Sequence, residues 1–155
     1  VQSAVISEVA HAGLSKRASS PMLADVLKWW PENQFLWLRY TAQLTREQDF
    51  ESAQNAVDAA LTLFGKDPQF VEQKMRILIG KGLYAAALQL GGTLKAADVL
   101  QQANILGLMG ICAANLKEYQ QAKALFNQAL ELNPNQEESR LSLPRINSIL
   151  RSNSP

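Results

Sequence analysis

At 155 residues and 17.1 kDa the chain is long enough for one compact domain or a short array of repeats. Its 47% hydrophobic and 19% charged residues exclude a disordered chain, and a net charge of +1 without a basic cluster gives no electrostatic basis for binding nucleic acid or an anionic membrane. No apolar run approaches the roughly 18 to 20 residues of a membrane-spanning helix, any signal or anchor is expected upstream of Val1, and the one cysteine excludes an internal disulfide while leaving the redox compartment open.

The chain begins at Val1, inside what reads as a partial unit, so a segment of a longer polypeptide is expected. Val5, Ile6, Val9 and Ala12 share one helical face, which Gly13 weakens. His11 lies near that helix with no Cys, His or carboxylate at ligand spacing, and reads as a surface or satisfied side chain. Ser19-Ser20-Pro21 starts another helix, with Ser20 as a cap and proline in the first turn. Leu23, Val26 and Leu27 form its face, and Trp29-Trp30-Pro31 ends it.

A long helix is predicted from Phe50 to Phe64, with Ala53, Val57, Ala60 and Phe64 inward. Gly65 can cap it, and Asp67-Pro68 reads as the N-cap and first residue of the next. Further on, Gly91 and Gly92 each cost a helix about 1 kcal/mol relative to alanine. Either that helix ends early, with Thr93 to Lys95 as a separate turn before Asp98 caps a long helix, or a bulky neighbour fills the space.

From Leu106 to Pro134 the pattern is sharpest. Leu106, Met109, Gly110 and Ala113 recur at helical steps, Leu116 closes that face, and Lys117-Glu118 is a polar break. Ala122, Phe126 and Ala129 mark the face of a second helix, and Asn133-Pro134 ends it, because the residue before proline is pushed out of the α region. Gly110 and Ala122 are small where two antiparallel helices must approach, and Phe126 is large where the gap is expected to open.

Stepping back about 34 residues from Gly110, Ala122 and Phe126 reaches Met75, Ala87 and Gly91, and a second step reaches Thr41, Ala53 and Val57. Phe50, Tyr84 and Tyr119 each precede the small alanine by three residues, and Trp37, Val71 and Leu106 take the first large apolar position. This pattern resembles the tetratricopeptide repeat, W-x2-L-G-x2-Y, then A-x3-F-x2-A, then P. Thr41 and Met75 depart from its glycine and Gly91 from its large residue, so slightly wider hairpins are expected at the first two.

The resemblance implies an all-α fold, a right-handed α-solenoid of antiparallel helix pairs closed by a C-terminal capping helix. The expected divisions of this single domain are a divergent repeat at 1–33, repeats at 34–67, 68–102 and 103–136, and the capping helix at 137–151. For that last helix Asn135 is a possible cap, with Glu137 and Glu138 in the first turn as a solvated acidic pair. Leu141, Leu143, Ile146, Ile149 and Leu150 supply apolar contacts, and Arg140, Arg145 and Arg151 keep the helix soluble. An interior proline costs a helix about 3 kcal/mol, so a break or kink is expected at Pro144, near Leu143.

What the resemblance implies about function is binding of a protein or peptide segment in a concave groove lined by the first helix of each pair. Matched repeat by repeat, that face would carry Phe35, Leu38, Ala42 and Thr45, then Gln69, Glu72, Gln73, Arg76 and Ile79, then Asn104, Gly107, Leu108, Ile111 and Asn115. Leu38 and Leu108 read equally as packing against a neighbouring repeat. The carboxylate clamp of the chaperone-tail binders is absent, since Leu38, Ala42, Gln73, Asn104 and Leu108 stand at its places. Arg76 and Glu72 are expected to orient the partner, with Ile79 and Ile111 as contact area.

Catalytic and cofactor signatures are missing: the sequence holds no HExxH, P-loop, GxGxxG, CxxC or GxSxG motif, so no catalytic, cofactor or metal residue is expected. Cys112 stands between Ile111 and Ala113, where a small buried hydrophobe is expected. The reading that follows is a non-enzymatic adaptor. The wealth of Gln, Ala and Leu suggests a bacterial origin, periplasmic or cytoplasmic, with a role in assembly or maturation of an envelope complex. Two alternatives are a structural spacer or self-association domain whose groove its own terminal helix fills, and an accessory domain of an enzyme lying upstream.

Overall fold

In the computed structural model, residues 18–95 and 98–155 are described, and they contain eight α-helices and no strand. These are α1 Ser20–Trp29, α2 Gln34–Arg46, α3 Phe50–Phe64, α4 Pro68–Gly80, α5 Tyr84–Gly92, α6 Val99–Asn115, α7 Tyr119–Leu132 and α8 Glu137–Ser152. The expected first helix, with Val5, Ile6, Val9, His11, Ala12 and Gly13, lies outside the described residues. Two compact units divide the chain at Lys66 and Asp67.

In the first unit α1 packs on α2 and α2 on α3. Leu23 and Leu27 of α1, Leu36, Thr41 and Leu44 of α2, and Ala53, Ala56, Val57 and Ala60 of α3 are buried. The face Trp37 was expected to fill belongs to Leu36, which is 5% exposed. Trp37 instead lies half-buried, its indole Nε1–H donating to the Pro31 carbonyl at 2.8 Å. Buried Thr41 satisfies its hydroxyl within the helix, donating to the Trp37 and Leu38 carbonyls at 3.0 and 3.1 Å. Ser20 does not cap α1: Ser19 holds the cap position without a side-chain bond, and the Ser20 hydroxyl and N–H both donate to Glu47. Gln43 donates to the same carboxylate at 2.7 Å, and these donors hold the Glu47 pKa below its ordinary value.

In the second unit each helix packs on the next, and α4 meets α6 as α6 meets α8. First helices thus stack on first helices, as expected of a solenoid. Asp67 and Asp98 cap α4 and α6, accepting from Gln69 N–H at 2.9 Å and Gln101 N–H at 2.8 Å. Three hairpin turns share one geometry, the middle residue adopting positive φ at Gln48 (60°), Gly82 (75°) and Lys117 (63°). In each the following N–H donates five residues back, Asp49 to Leu44, Leu83 to Leu78 and Glu118 to Ala113, at 3.0, 2.8 and 2.9 Å. That is the Schellman closure, which satisfies the helix's last carbonyls and reverses the chain in three residues. Phe50, Tyr84 and Tyr119 are the first residues of the helices that follow. Leu116, expected to close the α6 face, is instead its C-cap and 40% exposed.

The structure revises several packing expectations. Phe126, 0% exposed, does not occupy a widened gap: its ring lies directly on Gly110, where an added Cβ would sit 2.5 Å from Cε1. At Gly91 both alternatives hold, because α5 ends at Gly92 and Met75 and Met109 fill the space, each 2.7 Å from where a Cβ would be. The expected break at Pro144 does not occur, since α8 runs unbroken from Glu137 to Ser152. Buried Ser139 and Ile146 anchor the helix on either side of the proline, and Pro144 faces outward, where its unbonded Arg140 carbonyl is tolerated. Asn135 is not the cap of α8. Gln136 is, 2% exposed, with its Oε1 accepting from the Ser139 N–H at 2.9 Å and from the Ser139 hydroxyl.

Candidate functional site

The residues expected to face a partner separate into three environments once placed. On α2, Phe35 is 53% exposed while Leu38, Ala42 and Thr45 are half-buried. On α4, Gln69 is exposed and Glu72, Gln73, Arg76 and Ile79 are half-buried, with Ile79 packed against Met75, Ile105 and Leu108. On α6, Asn104 and Ile111 are half-buried, Asn115 is exposed, and Leu108 is 3% exposed within the cluster of Met75 and Ile105. Leu108 is therefore core, seated in the seam between α4 and α6, and is withdrawn from the binding face.

Arg76 and Glu72 also have a different task from the one expected. Arg76 Nη2 pairs with Glu72 Oε1 at 3.0 Å, and Arg76 Nη1 pairs with Glu138 Oε1 at 3.1 Å, 62 residues away on α8. Glu138 is thus not a solvated first-turn carboxylate. Its other oxygen accepts from the Gln136 carboxamide. Gln136 in turn lies over Gly107, where any Cβ would overlap its side chain. One continuous polar network therefore runs from α4 across α6 to the start of α8 and fixes where the terminal helix sits. Glycine at 107 is required by this close approach.

With α8 so placed, its Leu141, Arg145 and Ile149, one stripe at four-residue steps, face Ile111 and Asn115 of α6 across a cavity of about 310 Å3. Phe126 and Ile146 contribute to its lining, and Leu141 is 67% exposed. Asn115 spends one amide proton on the Ile111 carbonyl at 2.9 Å, which leaves its Oδ1 as an acceptor. The terminal helix therefore leaves this space open and forms one wall of it. Arg145, Leu141 and Ile149 were read from sequence as solubilising or capping residues; their i, i+4, i+8 spacing was the available signal.

Cys112 is fully buried beside Leu78 and Ala87, and burial pushes its thiol up to about 11 from a usual 9.0, so it is protonated at neutral pH. Among the described residues no group of three His, Cys, Asp or Glu is placed to hold a metal ion, and no helix is long and apolar enough to cross a membrane.

The fold and the open, mixed-polarity face define a helical-repeat protein-interaction module. Residues 103–136 match the family model for the tetratricopeptide repeat. Among solved structures the chain is similar to one described as MamA RS-1 ArsTM double mutant, at 17% identity and TM-score 0.73, over 97% of this chain and 82% of that one. That likeness shows the fold. No curated protein matches the chain. Residues 103–136 are thus a tetratricopeptide repeat within a chain whose described residues have an all-α, solenoid-like fold, and repeats of this kind bind protein partners.

Proposed function

We propose that the chain is a non-enzymatic adaptor that docks a partner protein's segment against the first-helix face of its second unit, in the cavity between α6 and α8. The observation that carries this is Leu141, 67% exposed at the mouth of a space that also presents Ile111 and Arg145. An apolar anchor supplies affinity, and an adjoining charge sets orientation and association rate. Ile79, Gln73 and Asn104 extend the face along α4 and α6. In the other unit Phe35, Leu38 and Ala42 are the matching positions of α2. Arg76 and Glu72 act indirectly here, by holding α8 in place. The wider setting of this reading is assembly or maturation of a bacterial envelope complex.

The test begins with a partner recovered by affinity capture and then measured by titration calorimetry against variants. Leu141→Asp and Ile111→Asp are each expected to weaken binding by tenfold or more, and Arg145→Glu to weaken it most at low salt. Leu141 is exposed, so its variant should keep the wild-type circular dichroism and melting curve even if Ile111→Asp loses stability. A partner that binds Leu141→Asp as tightly as wild type, yet is lost in Lys123→Glu, would reject this face.

A further inference from the structure

A second recess lies between α7 and α8, and it shares no lining residue with the cavity above. Its volume is about 770 Å3, within the roughly 300 to 1,000 Å3 of ordinary ligand sites. Half-buried Leu130, Leu143 and Leu150 give it an apolar floor, and exposed Lys123, Arg140 and Arg151 stand around it. No carboxylate lines it. Among the described residues these three cations form no ion pair.

Two further features concern hydrogen bonding. Pro144 lines the recess and has no N–H, so the Arg140 carbonyl lacks its helical donor. Asn147 Oδ1, also in the lining, is buried without a hydrogen-bond partner. Both acceptors would gain from a donor brought in by a ligand. The α8 positions involved, Arg140, Leu143, Pro144, Asn147 and Arg151, repeat at three- and four-residue steps and so form one stripe along about 17 Å of helix. Buried Ser139 and Ile146 lie on a different stripe of the helix. A trough of this length between two helices fits a third helix.

We propose that this recess docks an acidic amphipathic helix of a partner protein, its leucine-type face on Leu130, Leu143 and Leu150 and its carboxylates on Lys123, Arg140 and Arg151. Charge complementarity selects the partner: three unpaired cations with no counter-charge repel a basic helix and steer an acidic one. An anionic membrane is disfavoured because the apolar side chains are recessed below the cations, where a bilayer surface cannot reach them.

The probe is a fluorescein-labelled 16-residue helical peptide with leucines at i, i+3, i+4 and i+7, one glutamine among them, and glutamates on the flanks. Its twin carries lysine for every glutamate. Fluorescence anisotropy with the full chain is expected to show saturable binding of the glutamate peptide, weakening as salt rises, and at least tenfold weaker binding of the lysine peptide. The double variant Lys123→Glu, Arg151→Glu should weaken the glutamate peptide at least tenfold with its circular dichroism unchanged. Lys95→Glu, a charge reversal outside the recess, should shift it less than twofold. Equal binding of both peptides, no binding of the glutamate peptide, or full binding by the double variant would each overturn the proposal. So would flotation of the chain on phosphatidylserine vesicles that displaces the peptide, or a dimer by sedimentation that the double variant abolishes. Lys123 and Arg151 line only this recess, so the double variant tests it independently of the cavity between α6 and α8.

Discussion

The hairpins α4–α5 and α6–α7 solve one packing problem with the sizes exchanged. In α6–α7 the first helix is small, at Gly110, and the second is large, at Phe126, whose ring rests on it. In α4–α5 the first helix is large, at Met75, and the second is small, at Gly91, onto which Met75 closes. The first unit takes a middle course, with Thr41 and Val57 both fully buried at the corresponding positions. The fold therefore constrains the summed volume across the pair, since interiors are close-packed, and leaves the residue at each position free. This accounts for a family match confined to 103–136, where glycine and phenylalanine stand in the family's own order.

Removing the large partner should have the greatest effect. Phe126→Ala should cost about 3 to 5 kcal/mol by urea denaturation, and Met75→Ala about 2 to 5, since each leaves a void beside a glycine. A loss below about 1 kcal/mol in either would show that the hairpin recloses without it. Next comes overpacking of the two alanines at the other close approach. Ala122 and Ala87 are both fully buried, so Ala122→Leu and Ala87→Leu should each cost about 1 to 3 kcal/mol and lower the melting temperature clearly. An unchanged melting temperature for one of them would mean that its hairpin is the looser.

The two glycines should then part company. Gly110→Ala meets the enclosed Phe126 ring, so its clash should outweigh the roughly 1 kcal/mol of helix propensity gained, giving a net loss. Gly91→Ala meets flexible methionine side chains, one of them the half-buried Met109, and should come out near neutral. Equal losses at the two sites would break the comparison. Smaller still is the effect at the turns: Gly82→Lys should destabilise and Lys117→Gly stabilise by about 1 kcal/mol each, because both positions are left-handed.

Cys112 reports on the seam that joins the two hairpins, where it meets Leu78 and Ala87. With its folded pKa raised to about 11, it favours the native state through the neutral thiol. That contribution is fully present below the unfolded value of 9.0 and is lost as pH rises towards 11. Cys112→Ser should flatten this alkaline fall, and a thiol reagent at pH 8 should label wild type only on unfolding. Rapid labelling of the native chain would show an open seam.

Much of the helical outline was legible because its signals are local. Asp67-Pro68, Asp98, Gly65 and Asn133-Pro134 each act within one turn of the helix they start or stop, and the 34-residue period repeats the turn aromatic and the alanine three residues after it. The candidate site was legible only in part. Ile111 and Asn115 follow from their helix face, but Leu108 sits on that face and is buried, because the angle at which α6 meets α4 decides which stripe is covered. Leu141 and Arg145 became part of the site only through the position of α8, and no local pattern states that position.

Among the described residues the sequence by itself determined where the helices lie, since caps, turn residues and apolar spacing all act between neighbours in the chain. Tertiary structure alone decided that Arg76 meets Glu138, that Gln136 crosses Gly107, and that Met109 fills the space at Gly91. It also decided that Pro144 is carried within an unbroken helix. These contacts depend on where distant helices come to rest, and there burial on both sides of a residue outweighs its own backbone preference.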